Sequence, residues 1–558
     1  MPERKSNLLI PAIGATVLVA GGVAAYMYFQ GPSGDSSDAL GSAKLVPSTA
    51  LMATYITTDP QAWAKLDQFG TPESQKLLAK GLEDFKQDFF SAGNISYEQD
   101  IQPWVGGVML AVLPANPTKL AQSSQPNSSP QRQPEPNILM VVGIKDKLNA
   151  LSFANKLKAQ KGVKVQESNY KGETITETTG NSRPTYSAVL NNNHLVVAPE
   201  RQSVENAIDT FKGQPSFANQ EGANAILTAN ADVQNILAQV YIPDYAGMVQ
   251  KLLAANPQSS QLPPKSLTQL KQIKSVVARV GVDDQGLRMK AIANLDPQLN
   301  KFEYQTTPAN IVKQLPSDTF ALITGNGISR SWTTIVEESQ DYPEFNQILQ
   351  QVRGQLKFVN IDLDKDVFGW MDQEFAFGAM PSNQGMLASL GFGGALIFQT
   401  SDRQTATATL SKLDNLAKTQ QLSISKRNIG GKDVTEWQIP RQGALLSHGW
   451  LDQNTVFLAL GGSVAEAIAS TNTAKLDSSD NFKAVTGSLQ TPNAGYFYID
   501  VDKTTSLVNR FVAQRQPLPS QANTVLSSIR GLGVTVTSPN KSTSQLEMLL
   551  ALKPQTVK

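Results

Sequence analysis

Cysteine is absent from the 558 residues, which excludes disulfides, thiolate metal sites, iron–sulfur clusters and a cysteine nucleophile. Histidine is almost absent too: only His194 and His448 occur, too few for a histidine-rich metal site. Charged residues are scarce, at 17% against the usual quarter, and Ser, Thr, Asn and Gln take their place. With 48 basic residues facing 47 acidic ones, no net field steers the chain toward nucleic acid, and no basic cluster with interleaved aromatics exists. What is present is a 40% hydrophobic share, enough to fill real cores. At about 150 residues per unit, the length suits roughly three or four of them.

After a short head, residues 1–7, that carries Arg4 and Lys5, residues 8–29 run without a charge. As a helix they would measure about 33 Å, enough for a hydrocarbon core of ~30 Å. Tyr26, Tyr28 and Phe29 gather at the far end, where aromatic rings favour the membrane interface. The next basic residue is Lys44, so the positive-inside rule leaves the N-terminus cytoplasmic and the body periplasmic or lumenal. A cleaved signal peptide is the rival reading, with Val23-Ala24-Ala25 as a poor cleavage site. Its apolar region would usually span only 7–15 residues, which favours an uncleaved anchor. Residues 30–44, rich in Gly, Ser and Asp without apolar period, read as a flexible tether of roughly 20 Å r.m.s. reach.

The remaining chain repeats itself. Val46-Pro47-Ser48, continuing to Trp63, matches Leu315-Pro316-Ser317, continuing to Trp332. Asp100-Ile101 before Trp104 matches Asp366-Val367 before Trp370. Tyr170-Lys171-Gly172 matches Ile429-Gly430-Gly431, and Ser203-Val204 matches Ser463-Val464. The order never breaks, so residues 45–305 and 306–558 read as two copies of one domain. Each copy predicts a strand, helical sequence, a strand pair around a variable loop, a helix, two hairpins, a helix and a closing hairpin. The loop at 115–136, rich in Pro, Ser, Gln and Asn, reads as a disordered insert.

Finer expectations follow from spacing. Leu148, Leu151 and Leu157 fall at helical spacing, as do Leu410, Leu413 and Leu416. Gly172 and Gly431 supply permissive backbone for a tight turn, and Asn191 to Asn193 suit another. Ser463 with Glu466 reads as a capping box. In the closing hairpin, Leu287, Met289 and Ala291 should point inward, with Arg288 and Lys290 outward. The fold class is α+β: tandem domains with a curved antiparallel sheet and packed helices behind one transmembrane helix.

The pattern resembles a domain-of-unknown-function family of cyanobacterial membrane-anchored proteins. The resemblance spans residues 44–553 and rests on the N-terminal anchor, the Val46-Pro47 opening, and Asp100-Ile101-Gln102-Pro103-Trp104-Val105-Gly106. The echo Asp366-Val367-Phe368-Gly369-Trp370 lacks the proline. No reaction comes with this family, so the resemblance implies a location and no catalytic residues or cofactor.

Candidate chemistry is sparse. Asp362, Asp364 and Asp366 alternate like the start of a calcium loop, but Val367 replaces its glycine and Gln373 its glutamate, so they read as turn or capping carboxylates. Trp63, Trp332, Trp104 and Trp370 read as core anchors repeated with their neighbours. His448 lies beside Ser447, but no nucleophile elbow exists and no acid is placed to orient it. The expectation is a non-catalytic, membrane-tethered scaffold for other membrane or extracytoplasmic proteins, without metal or cofactor, in the plasma or thylakoid membrane. The alternative is a carrier or sensor of an apolar ligand such as lipid or pigment, and a hydrolase ranks third.

Overall fold

Alternation of buried and half-buried side chains along Val105–Leu113 leaves one face of the segment to each of two cores, as an extended strand dictates. A computed structural model of the chain describes residues 38–77, 97–114, 137–159, 163–179, 184–223, 233–254, 264–300, 304–340, 342–512 and 519–555. It divides into two units, Met1–Asp296 with Pro554–Lys558, and Pro297–Lys553. The fold is α+β with a large curved antiparallel sheet.

The strands of the first unit are β1 (Met52–Ile56), β2 (Val105–Leu113), β3 (Asn137–Ile144), β4 (Lys164–Tyr170), β5 (Glu173–Thr179), β6 (Thr185–Leu190), β7 (His194–Ala198), β8 (Ile236–Ile242), β9 (Ile273–Asp283) and β10 (Gly286–Leu295). They pair, all antiparallel, in the order β4-β5-β6-β7-β3-β2-β1-β8-β9-β10. The second unit holds β11 (Ala321–Asn326), β12 (Glu374–Pro381), β13 (Phe392–Gln399), β14 (Ser423–Ile429), β15 (Lys432–Ile439), β16 (Gly443–Trp450), β17 (Thr455–Leu460), β18 (Tyr496–Asp500), β19 (Ile529–Asn540) and β20 (Thr543–Leu552). Their order is β14-β15-β16-β17-β13-β12-β11-β18-β19-β20, again all antiparallel.

Helices pack on both faces of each sheet. Adjacent residues Val141 and Val142 of β3 enter different cores, as do Ile397 and Phe398 of β13. On one face lie the helices Arg201–Phe211, through Val204, Ala207 and Ile208, and Gly462–Ala469, through Val464, Ala465 and Ile468. On the other, Ala150 and Phe153 of the helix Lys147–Lys158 pack near Trp104, while Ala406 and Leu410 of Arg403–Thr419 pack near Trp370.

Several expectations need correction. The tether does not extend to residue 44: Asp38 caps a helix, Ala39–Ala43, whose Ala39, Ser42 and Ala43 are buried. Small residues without apolar period hide such a helix from a sequence reading, yet they let it lie close against the sheet. Strands β8 and β18, which no turn signal marks, insert beside β1 and β11. The helix Lys147–Lys158 exists, but Leu148 is 80% exposed and Leu151 is exposed with it, so Ala150 and Phe153 make the contact instead. In β10 the alternation is reversed: Arg288 is buried because it pairs with Asp283 at 2.6 Å, while Leu287 and Met289 are half-buried. The capping box also fails, since Ser463 lies inside a helix capped by Gly461, and Glu466 pairs with Arg427. The expected anchor, 8–29, and insert, 115–136, lie outside the described residues. Among the described residues no helix is long and apolar enough to cross a membrane.

Candidate functional site

The repeated Asp-x-x-x-Trp spacing builds the same lock in each unit. Tyr97–Ile101 and Leu363–Phe368 form wide helical turns. Over each turn the Trp Nε1–H reaches back four residues, from Trp104 to the Asp100 carbonyl at 2.7 Å and from Trp370 to the Asp366 carbonyl at 2.8 Å. The aspartate carboxylates then pair with the covering helices, Asp100 with Lys156 at 2.6 Å and Asp366 with Lys412 at 2.5 Å. Both indoles are buried, Trp104 beside Phe153 and Trp370 edge-on to Phe398. Burial alone would raise the Asp366 pKa, but the Asp362 amide and the Lys412 ammonium outweigh it and hold the carboxyl below its ordinary range.

The other carboxylates of the alternating row are likewise occupied by protein donors. Asp362 accepts from the amides of Asp364 and Lys365, capping the turn. Asp364 accepts from Trp332 Nε1 and Arg353, each at 2.8 Å. Each of the three carboxylates thus already answers a protein donor. Among the described residues no group of three or more His, Cys, Asp or Glu could hold a metal ion.

The remaining repeat residues serve the backbone. Trp63 is buried and donates to the Thr57 carbonyl, whereas Trp332 is half-buried and stacks on Phe368 at 4.0 Å. Gly172 and Gly431 adopt φ of +86° and +83° after Lys171 and Gly430, themselves at positive φ, so each ends a two-residue hairpin turn. Their amides donate to Asn169 Oδ1 and Asn428 Oδ1, three residues back. Ser203 Oγ donates to Asn137 Oδ1, and Ser463 Oγ meets Ser382 Oγ.

One constellation escaped sequence reasoning. Asp414, on the helix Arg403–Thr419, lies 2.7 Å from His448 Nε2 and also accepts from Trp437 Nε1 at 2.7 Å. An acid does therefore orient His448; a helix-to-sheet contact spanning 34 residues leaves no local signal. Ser447, its neighbour on β16, points to the opposite face of the sheet, and its buried Oγ has no partner. Ser447 is accordingly not placed for the pair to activate. His194 is buried, with Nδ1 at 3.1 Å from Asn191 Oδ1, and burial pushes its pKa down, favouring the neutral ring.

A cleft of about 390 Å³ opens at the ends of β1 and β8, lined by Tyr55, Thr57, Asp59, Asn235, Ile236 and Gln239 among others. Burial, reinforced by Asp38, pushes the Tyr55 hydroxyl far up and keeps it neutral. Asp59 is engaged in capping through the Gln61 amide. The cleft offers hydrogen bonds and no acid–base pair.

The second unit also leaves an apolar row partly exposed, with only Phe377 in it packed against the Trp370 cluster. Phe497 of β18 faces Ile323 of β11, which faces Phe377 of β12, which faces Leu396 of β13. Ile323 is 46% exposed, Leu396 42% and Phe497 37%. In the first unit the corresponding strands β8 and β1 bury Val240 and Thr54, where the helix Tyr245–Ala254 packs.

Among solved structures, the chain is similar to crystal form IV of TP0453, with 11% identity and a TM-score of 0.26 over 47% of this chain and 81% of that one. Crystal form III of TP0453 is similar at 10% identity and a TM-score of 0.25, over 47% and 80% of the two chains. No curated protein matches the chain. A family model described as protein of unknown function (DUF3352) matches residues 12–552, spanning both units from the apolar N-terminal stretch to the end of β20. With both locks, both ten-strand orders and nearly the whole length inside that match, the chain belongs to the DUF3352 family of proteins of unknown function.

Proposed function

We propose that the protein is a non-catalytic binding protein, tethered by residues 8–29 and carrying two copies of one domain on the periplasmic or lumenal side of a membrane, as in the cyanobacterial proteins its sequence resembles. Duplication is supported by the matching strand orders and by the Asp–Trp–Lys lock built in both units. The observation that carries the binding role is the partly exposed row Phe497, Ile323, Phe377 and Leu396. Exposed Phe497, Ile323 and Leu396, with half-buried Phe377 between them, leave water-facing apolar surface that another protein can cover. The placement of Ser447 on the face away from the Asp414–His448 pair supports the non-catalytic part.

The test is affinity purification of the full chain from native membranes beside its Leu396→Asp variant, with thermal unfolding as a folding control. A protein retained by the parent and lost by the folded variant is the expected result. An identical set of retained proteins in both would overturn the role given to this row.

A further inference from the structure

We propose that the side of the first unit bearing the helix Ala39–Ala43 faces the headgroup layer of the bilayer, held there by a leash of only eight residues, 30–37; this rests on the anchor reading above. The helix is part of the folded unit. Asp38 Oδ1 accepts from the Gly41 amide at 2.6 Å, and Ala43, Leu45 and Val46 are fully or almost fully buried in the core with Met109, Leu139 and Val204. Immediately after it, the Val46 carbonyl accepts from the Phe217 amide at 2.7 Å and the Ser48 amide donates to the Pro215 carbonyl at 3.0 Å. Detaching this segment would expose that apolar surface and break those bonds, so it cannot serve as slack.

Eight residues, whatever their conformation, span at most about 29 Å and as a flexible chain average roughly 16 Å. The fifteen-residue tether expected from composition would allow up to about 54 Å. The shorter leash therefore restricts both height and rotation. Asp38, where the leash joins the fold, and Lys44, one short helix further on, are both exposed and stay near the bilayer. Partners that this side meets must be embedded in the same bilayer or lie on it.

The absence of cysteine makes the test direct. The full chain carrying Lys44→Cys is labelled with a donor dye and reconstituted into phosphatidylcholine vesicles containing acceptor-labelled headgroups. Twenty Gly and Ser residues are then inserted after Gly34, roughly doubling the leash's r.m.s. reach. Strong energy transfer that falls about twofold or more on insertion is the expected result, given that doubling. Transfer that is weak from the start, or indifferent to insertion, in protein that sediments with the vesicles overturns the leash. Protein that does not sediment with vesicles overturns the anchor instead.

Trypsin supplies an independent readout, because Lys44 is the first Lys or Arg after Lys5. A docked helix should resist cleavage at Lys44 at a dose that frees the body of a Ser36→Lys variant. Release at Lys44 as fast as at the introduced site would overturn the proposal.

Discussion

Replacing Trp370 by alanine removes a side chain that is 3% exposed and packed among Phe398, Ala406, Leu410 and Val456. Large-to-small changes of buried Trp typically cost about 3–5 kcal/mol, through lost transfer energy and the cavity left behind. The hydrogen bond to the Asp366 carbonyl disappears as well. Trp370→Phe keeps most of the volume and removes one of that carbonyl's two donors, Thr409 Oγ1 remaining at 2.6 Å, so the lost bond and the smaller ring together cost about 1–2 kcal/mol. For a unit of this size each kcal/mol moves the midpoint by roughly 2–4 °C, so alanine should lower it by about 6–20 °C and phenylalanine by about 2–8 °C. Thermal unfolding of residues 38–558, followed by circular dichroism, reads both; the fragment begins at Asp38 because Ala39–Ala43 belongs to the core. Equal midpoints for parent and alanine variant would refute the lock as a structural device and recast the indole as a ligand-binding surface.

Trp104→Ala should cost a similar amount in the first unit, where the same bond measures 2.7 Å. Asp366 titrates below the ordinary carboxylate range in the folded chain, so its contribution is complete above about pH 4 and is lost as pH falls through the folded value; acid unfolding followed by fluorescence should be steeper for the parent than for Asp366→Asn. Gly431→Ala meets open space, so only its φ of +83° is strained, at about 1–2 kcal/mol. Gly495→Ala would also set its Cβ against the Thr324 carbonyl, and urea midpoints should rank it as the more damaging change. Asp414→Ala leaves two donors, Trp437 Nε1 and His448 Nε2, without their acceptor and should cost about 1–3 kcal/mol, more than His448→Ala by the same assay.

Local chemistry made much of this fold legible. Gly172 and Gly431 each follow an Asn by three residues and turn a hairpin, and the recurring Asp and Trp mark a motif whose backbone bond spans four residues. Features set by tertiary partners were not legible. Arg288 looks like a solvent residue until Asp283 is seen beside it, and Ser463 resembles a cap until Gly461 takes that position. Leu148 and Leu151 have helical spacing on a helix whose contact runs through Ala150 and Phe153. Asp414 and His448 meet only because a helix lies across the sheet, a relation that spacing along the chain does not encode.

The strands that close one end of each sheet carry a last consequence. Among the described residues β4 pairs only with β5 and β14 only with β15, so each presents a row of amides and carbonyls that a foreign strand could join. Lys164, Gln166 and Glu167 stud the first edge, and Lys426, Arg427 and Asn428 the second. Lys158 reaches Glu167, while Arg427 is held between Glu436 and Glu466. An incoming backbone would have to strip water from these charges, the usual protection of an open edge against aggregation. Wherever molecules are crowded enough to meet edge to edge, this guard lets them collide without fusing into fibres.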